Sequence, residues 1–126
     1  MRQIKFRAWD NQKKKMILDV GVFDNMAVLE PQYVYDSPER QIVELKGSIL
    51  MQFTGLLDKN GKEIYEGDIV FDEDGEYSKT CIIDWSDEQA KFFGKSVFDY
   101  EVYDMDEIYG EIIGNIWENE ELLENK

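Results

Sequence analysis

With 28 acidic residues and no histidine, any chemistry this chain performs must run on carboxylates. Asp72, Glu73 and Asp74 crowd one stretch, and Asp104, Asp106 and Glu107 another. Oxygen ligands at such spacing could hold a divalent ion, and a pair of ions could activate water for hydrolysis. Asp72, Asp74, Asp104 and Asp106 are therefore the candidate metal ligands. Composition favours the plainer reading, in which acid-rich exposed turns are solvated surface, and no metal and no cofactor is expected. The missing histidine removes a Ser-His-Asp triad, a Cys-His dyad and every His-bearing zinc site. Cys81 is the single cysteine; in an alternating apolar run it reads as a buried structural thiol. Asp58-Lys59-Asn60-Gly61 imitates part of a calcium loop, but Leu56 and Gly67 then stand where the ion needs carboxylates. Neither glycine-rich phosphate loop occurs. No catalytic residue emerges, and the chain is not expected to be an enzyme.

The elements that must position these acids are turns. Met51–Val70, MQFTGLLDKNGKEIYEGDIV, packs three turn signals among short apolar pieces. Asn60-Gly61, behind Asp58, is a strong hairpin signal because both residues tolerate positive φ. Glu66-Gly67-Asp68 predicts a second bend, in which Asp68 accepts backbone N–H bonds and fixes entry into Ile69–Phe71. Asp72-Glu73-Asp74-Gly75 predicts a third. Gly55, Asp58, Asn60, Gly61, Gly67, Asp68, Gly114 and Asn115 are thus the residues expected to carry structure.

Period-2 alternation runs through the rest. Ile4, Phe6 and Ala8 fall on one face, with Lys5, Arg7 and Trp9 opposite, and Lys15–Leu18 can return as a hairpin partner. Residues 19–40 are interrupted by Asp24-Asn25, Pro31 and Asp36-Ser37-Pro38, which leaves a short helix or irregular turn near Met26–Leu29. Gln41–Leu45 and Ile49–Phe53 read as strands separated by Lys46-Gly47-Ser48. Further strands are expected at Ile69–Phe71, Thr80–Trp85, Gln89–Phe93, Val97–Tyr103 and Ile108–Trp117, with Cys81, Ile83 and Trp85 on one face and Phe98, Tyr100 and Val102 on another. Gly110 and Gly114 inside the last strand suggest a bulge or bend that closes a barrel. Asn119 is placed to cap a final helical turn with Glu120 and Glu121 at its positive end, docking Leu122 and Leu123. The expected fold is mainly β: a single domain over residues 1–126, with an N-terminal β layer (1–48) and a barrel portion (49–126).

At 126 residues with 43% hydrophobic side chains, a packed core is feasible without disulfides. One cysteine, no long apolar run and no apolar stretch after Met1 suggest a soluble cytoplasmic protein. Charge is lopsided. Residues 1–15 hold Arg2, Lys5, Arg7, Lys13, Lys14 and Lys15 against Asp10 alone, a net of +5, so the remainder carries −19 within a total of −14. No positive side chain lies between Lys95 and Lys126. Most of this surface would repel a phosphate backbone, so direct nucleic-acid binding and a membrane are not expected partners.

The opening Ile4-Lys5-Phe6-Arg7-Ala8-Trp9-Asp10, the central Met51–Val70 run and the closing Glu111–Leu123 segment together resemble the YopX family of small bacteriophage and prophage proteins. Residues 19–48 and 94–107 follow the family pattern loosely, and Glu120 stands where the family usually has proline. The resemblance implies a mainly β fold with an SH3-like, partly open barrel, and it implies no assigned activity and no catalytic residue. The expected role is a non-enzymatic accessory protein that binds a protein partner, including copies of itself. The alternatives are an acidic mimic of nucleic acid that blocks a host DNA-binding protein and a carboxylate metal-dependent hydrolase.

Overall fold

The structure, a computed structural model, describes residues 3–23, 25–29, 43–44, 47–74 and 77–124. These group into two compact units, within Gln3–Gln52 and within Phe53–Lys126. The fold is mainly β, with only short 3-10 turns besides strands among the described residues. All strand pairs among the described residues are antiparallel.

In the first unit, β1 (Phe6–Asp10) lies between β2 (Lys15–Ile17) and the first half of β6 (Ser48–Leu57), while β3 (Gly21–Phe23), β4 (Met26–Leu29) and β5 (Val43–Glu44) form a separate meander. The β1–β2 turn is organised by Asp10, whose Oδ1 accepts the Gln12 and Lys13 N–H groups. Ala8, Val20 and Ala27 form the core, with Phe6, Ile17 and Leu50 packed on it. Arg7 and Trp9 are also buried, so β1 is covered on both faces and Arg7 leaves the basic strip that the sequence suggested. Met26–Leu29 is a strand rather than a helix or an irregular turn. Asn25 takes φ of 62°, the left-handed conformation asparagine tolerates, and the four residues after it pair with both β3 and β5. Gly47 does turn the chain, yet the strands on either side belong to different sheets. The breaks expected at Pro31 and Asp36-Ser37-Pro38 lie outside the described residues.

The second unit begins with the end of β6, which the Asp58–Lys62 turn joins to β7 (Glu63–Tyr65). Five further strands follow: β8 (Asp68–Asp74), β9 (Tyr77–Ser86), β10 (Lys91–Ser96), β11 (Val102–Asp104) and β12 (Glu111–Asn115). They make a curled half-barrel sheet in the order β11-β10-β9-β8-β12. Consecutive β11 and β12 therefore occupy opposite edges, and the chain between them has to cross the sheet. It does so through a 3-10 turn at Met105–Glu107 and on through Gly110. Met105, Ile108 and Ile112 pack on Ile64, Val70 and Ile83 along this path, forming the core of the unit. Burying side chains of this size contributes about 2 kcal/mol each, so the crossing is itself a source of stability.

Of the strand boundaries that move from the sequence expectation, four have a visible cause, while β6 and β9 simply run longer than expected. β8 continues through Asp72, Glu73 and Asp74, which the sequence placed in a turn, because Asp72 pairs across to Lys79 on β9 and extends the ladder. Gly75, the turn residue expected there, lies outside the described residues. β10 starts at Lys91 because a turn with Ala90 at φ 52° and Gln89 N–H donating to Ser86 Oγ occupies the preceding residues. Val97–Tyr103 is not one strand. Ser96 N–H donates to Glu101 O and Glu101 N–H to the Asp99 carboxylate, which folds residues 97–100 into a hairpin tip before the short β11. Ile108–Trp117 shortens to β12, where the register shifts between Ile112 and Gly114 as a bulge.

Candidate functional site

The acids of the central motif face inward to backbone N–H groups. Asp58 is buried at the β6–β7 turn. Its Oδ1 accepts Asn60 N–H at 2.9 Å and Lys62 N–H at 2.8 Å, and its Oδ2 accepts Ile112 N–H on β12 at 2.9 Å. One carboxylate thus shapes the hairpin and ties it to a distant strand. Lys59 N–H, donating to Gly110 O at 2.9 Å, adds a second tie. Burial alone would raise the Asp58 pKa. The N–H groups of Ile112, Lys62 and Asn60, aided by the charge of Lys62, outweigh it and hold the pKa below the usual 3.8.

Asp68, also buried, accepts Tyr65 N–H at 2.8 Å and closes the bend at Gly67, as the sequence predicts. Gly67 N–H donates to Ile83 O on β9, and Gly67 O accepts the N–H of Ile116 just past β12, so the bend is held from two sides. Gly55, at φ 87°, stands where the β6–β7 register shifts. Asn115 organises the other end of β12: its Oδ1 accepts Trp117 and Glu118 N–H. Asn119 forms no side-chain cap on the last 3-10 turn (Glu120–Leu123). Its Oδ1 instead accepts Asn115 N–H, and Gly114 leaves room for that side chain.

Of the candidate metal ligands, Asp104 and Asp106 are brought together, while Asp72 is committed elsewhere. Asp72 is buried, accepts Tyr109 N–H at 3.0 Å and lies 3.7 Å from Lys79 Nζ. Lys79 Nζ also donates to Glu107 O at 2.9 Å and sits 4.1 Å from the Tyr103 ring centroid. This pair fastens the crossing segment at Glu107 and Tyr109 to the sheet beneath. The side chain of Asp74 lies outside the described residues. Asp104, Asp106 and Glu107 do approach one another, their ligand oxygens within 4.8 Å, and all three are exposed. Asp104 pairs with Lys91, and Glu107 Oε1 accepts Asp104 N–H. Those contacts give Asp104 and Glu107 partners in the folded chain. Cys81 is fully buried; burial pushes its thiol up to about 11, so it is protonated and inert at neutral pH.

What alternation concealed is the hairpin tip between β10 and β11. Phe98, Tyr100 and Val102, expected to share one face of a strand, are 47%, 80% and 61% exposed. Tyr100 takes φ of 61°, unusual for an aromatic residue. The overlooked signal is Asp99, whose carboxylate can turn the chain by accepting the N–H two residues on. Its hydrogen bonds with the Ser96 side chain and Glu101 N–H hold its pKa below the usual value. Trp85, expected on one strand face with Cys81 and Ile83, is partly exposed and stacks edge-on against Phe92.

The chain is thus mainly β, built on a turn motif whose buried acids Asp58 and Asp68 accept backbone N–H groups. The pattern described as YopX protein matches residues 5–124, and the chain belongs to this family. Two solved structures are similar over its whole length. Protein EF1440 from Enterococcus faecalis is 31% identical, with 98% of this chain and 100% of that chain covered and a TM-score of 0.69. Protein yopX from Bacillus subtilis is 25% identical, with 100% and 99% covered and a TM-score of 0.64. No curated protein matches. Among the described residues no helix is long and apolar enough to cross a membrane.

Proposed function

We propose that this chain is a non-enzymatic accessory protein of a phage or prophage, acting in the bacterial cytoplasm as a protein-interaction module that also associates with itself. On this reading the half-barrel is an SH3-like scaffold and binding falls to its surface. The observation that carries the proposal is the segregation of charge. Lys13, Lys14 and Lys15 stand exposed on the β1–β2 turn, while the chain beyond Lys95 has no cation before Lys126. Opposed patches on identical copies favour head-to-tail contacts, which close into a ring when the rotation permits. The acid-mimic reading is less well supported, because Phe98, Tyr100 and Val102 interrupt the exposed carboxylates of the hairpin tip. Burial of Asp72 against Lys79 and Tyr109 weighs against a hydrolase.

Light scattering after size exclusion tests self-association. At about 50 mM salt the mass should be a multiple of 14.9 kDa, and at about 500 mM, where the screening length contracts to a few ångströms, it should fall. A monomer in both buffers removes self-association from the proposal.

A further inference from the structure

We propose that the β10–β11 hairpin tip is a docking surface for an arginine-bearing segment of another protein. Residues 98–102 are five consecutive exposed positions that alternate apolar and acidic: Phe98, Asp99, Tyr100, Glu101, Val102. The Ser96 N–H to Glu101 O bond and the pairing of Lys95 with Val102 hold the two arms together, so these side chains project from one short loop. Val97 N–H, donating to Thr80 O, fixes the loop's base to β9. An exposed tyrosine held at positive φ costs conformational energy and gains no burial in the free chain. A partner that covers it would supply that burial.

The chemistry of the occupant follows from what the tip offers. Aromatic faces attract cations, and carboxylates between them accept N–H donors. The same fold already holds a cation this way, with Lys79 over the Tyr103 ring beside Asp72. A guanidinium suits the exposed version better than an ammonium, because it stacks on rings and forks into carboxylates. Asp106 and Glu107 extend the negative field beyond the tip. Of the neighbouring cations, Lys91 is paired with Asp104, and Lys95, exposed opposite Val102, offsets one of the tip's charges. A second copy is the less suitable occupant on its described residues, since Arg7 is buried and the exposed β1–β2 turn presents lysines; Arg2 and Arg40 lie outside the described residues.

Fluorescence anisotropy with labelled hexa-arginine and hexalysine peptides, at about 150 mM salt to screen the general negative charge, tests this on the full chain. Hexa-arginine should bind several-fold more tightly than hexalysine. The double substitution Phe98→Ser and Tyr100→Asn keeps every carboxylate and places asparagine, which tolerates positive φ, at the strained position. It should weaken hexa-arginine about tenfold, as expected for the loss of two aromatic faces, without lowering the melting temperature. Tyr100→Asn alone serves as the second variant and should give part of the loss. Equal affinity for the two peptides, or unchanged hexa-arginine binding in the double variant, would reduce the tip to a generic anionic surface and overturn the proposal. It is also overturned if the double variant dissociates a wild-type oligomer, because a second copy then covers the tip. That result would leave self-association standing, so the two readings fail separately.

Discussion

Asp58→Asn should destabilise the fold by about 3 kcal/mol in urea denaturation, with little change in the slope of the transition. Three backbone N–H groups converge on the carboxylate. An amide has one accepting oxygen, and its NH2 must face at least one of those donors, leaving a partly buried N–H unsatisfied. Each hydrogen bond to a charged acceptor contributes about 1.5–3 kcal/mol, so losing the Ile112 tie and weakening the turn accounts for the total. The same site sets an acid limit. Its folded-state pKa lies below the ordinary 3.8, so its contribution is fully present above 3.8 and is lost as pH falls through the lower folded value. Wild-type stability should therefore decline below about pH 4, and the Asp58→Asn protein should show a shallower decline over the same range. A variant as stable as wild type would mean that the Ile112 and turn N–H groups find other partners.

Gly110→Ala should cost about as much, by a different route. A Cβ built at Gly110 collides with the Phe71 carbonyl oxygen and lies 2.8 Å from its carbon and 2.9 Å from Val70 Cγ1. Two of those three atoms are backbone of the central motif's strand, which cannot swing aside as a side chain can. Either the crossing segment lifts, loosening Ile108 and Ile112 from the core, or β8 shifts; overpacking of this kind costs about 3 kcal/mol. Gly61→Ala is the instructive contrast. Its Cβ would meet nothing within 4 Å, and only its φ of 84° is strained. That strain costs about 1 kcal/mol. Thermal melts of the two proteins should therefore separate clearly, with Gly110→Ala far lower; equal melting temperatures would mean that the crossing segment lies less tightly on β8.

These two residues also mark how far the sequence could be read. Local turn chemistry was legible, because Asp58, Gly61, Gly67 and Asp68 act within a few residues of themselves, and so the central hairpin, the bend and the β-rich character followed. The partnership of Asp58 with Ile112 was not, since nothing local in either segment encodes a bond between residues 54 apart in the chain. Asp72 was misread for the same reason. Beside Glu73 and Asp74 it resembles an exposed acidic turn, and only Lys79 across the ladder and Tyr109 from the crossing segment reveal a buried anchor. The hairpin tip failed differently. Phe98, Tyr100 and Val102 alternate as core residues of a strand do, and alternation cannot distinguish a face that packs inward from one that awaits a partner. The strand at Met26–Leu29 was obscured because its partners lie on both sides of it in the chain, while its own four residues carry little periodicity.

Amide hydrogen exchange at Ile112 and Tyr109 tests most directly whether the acids of this motif serve the fold. Both N–H groups should be protected in the wild-type protein; Ile112 should lose protection in Asp58→Asn and Tyr109 in Asp72→Asn, each without loss at the other site or in the Val70 and Ile83 core. Rapid exchange at both amides in the wild type, or protection unchanged by either substitution, would contradict the account and return these carboxylates to the pool available for chemistry.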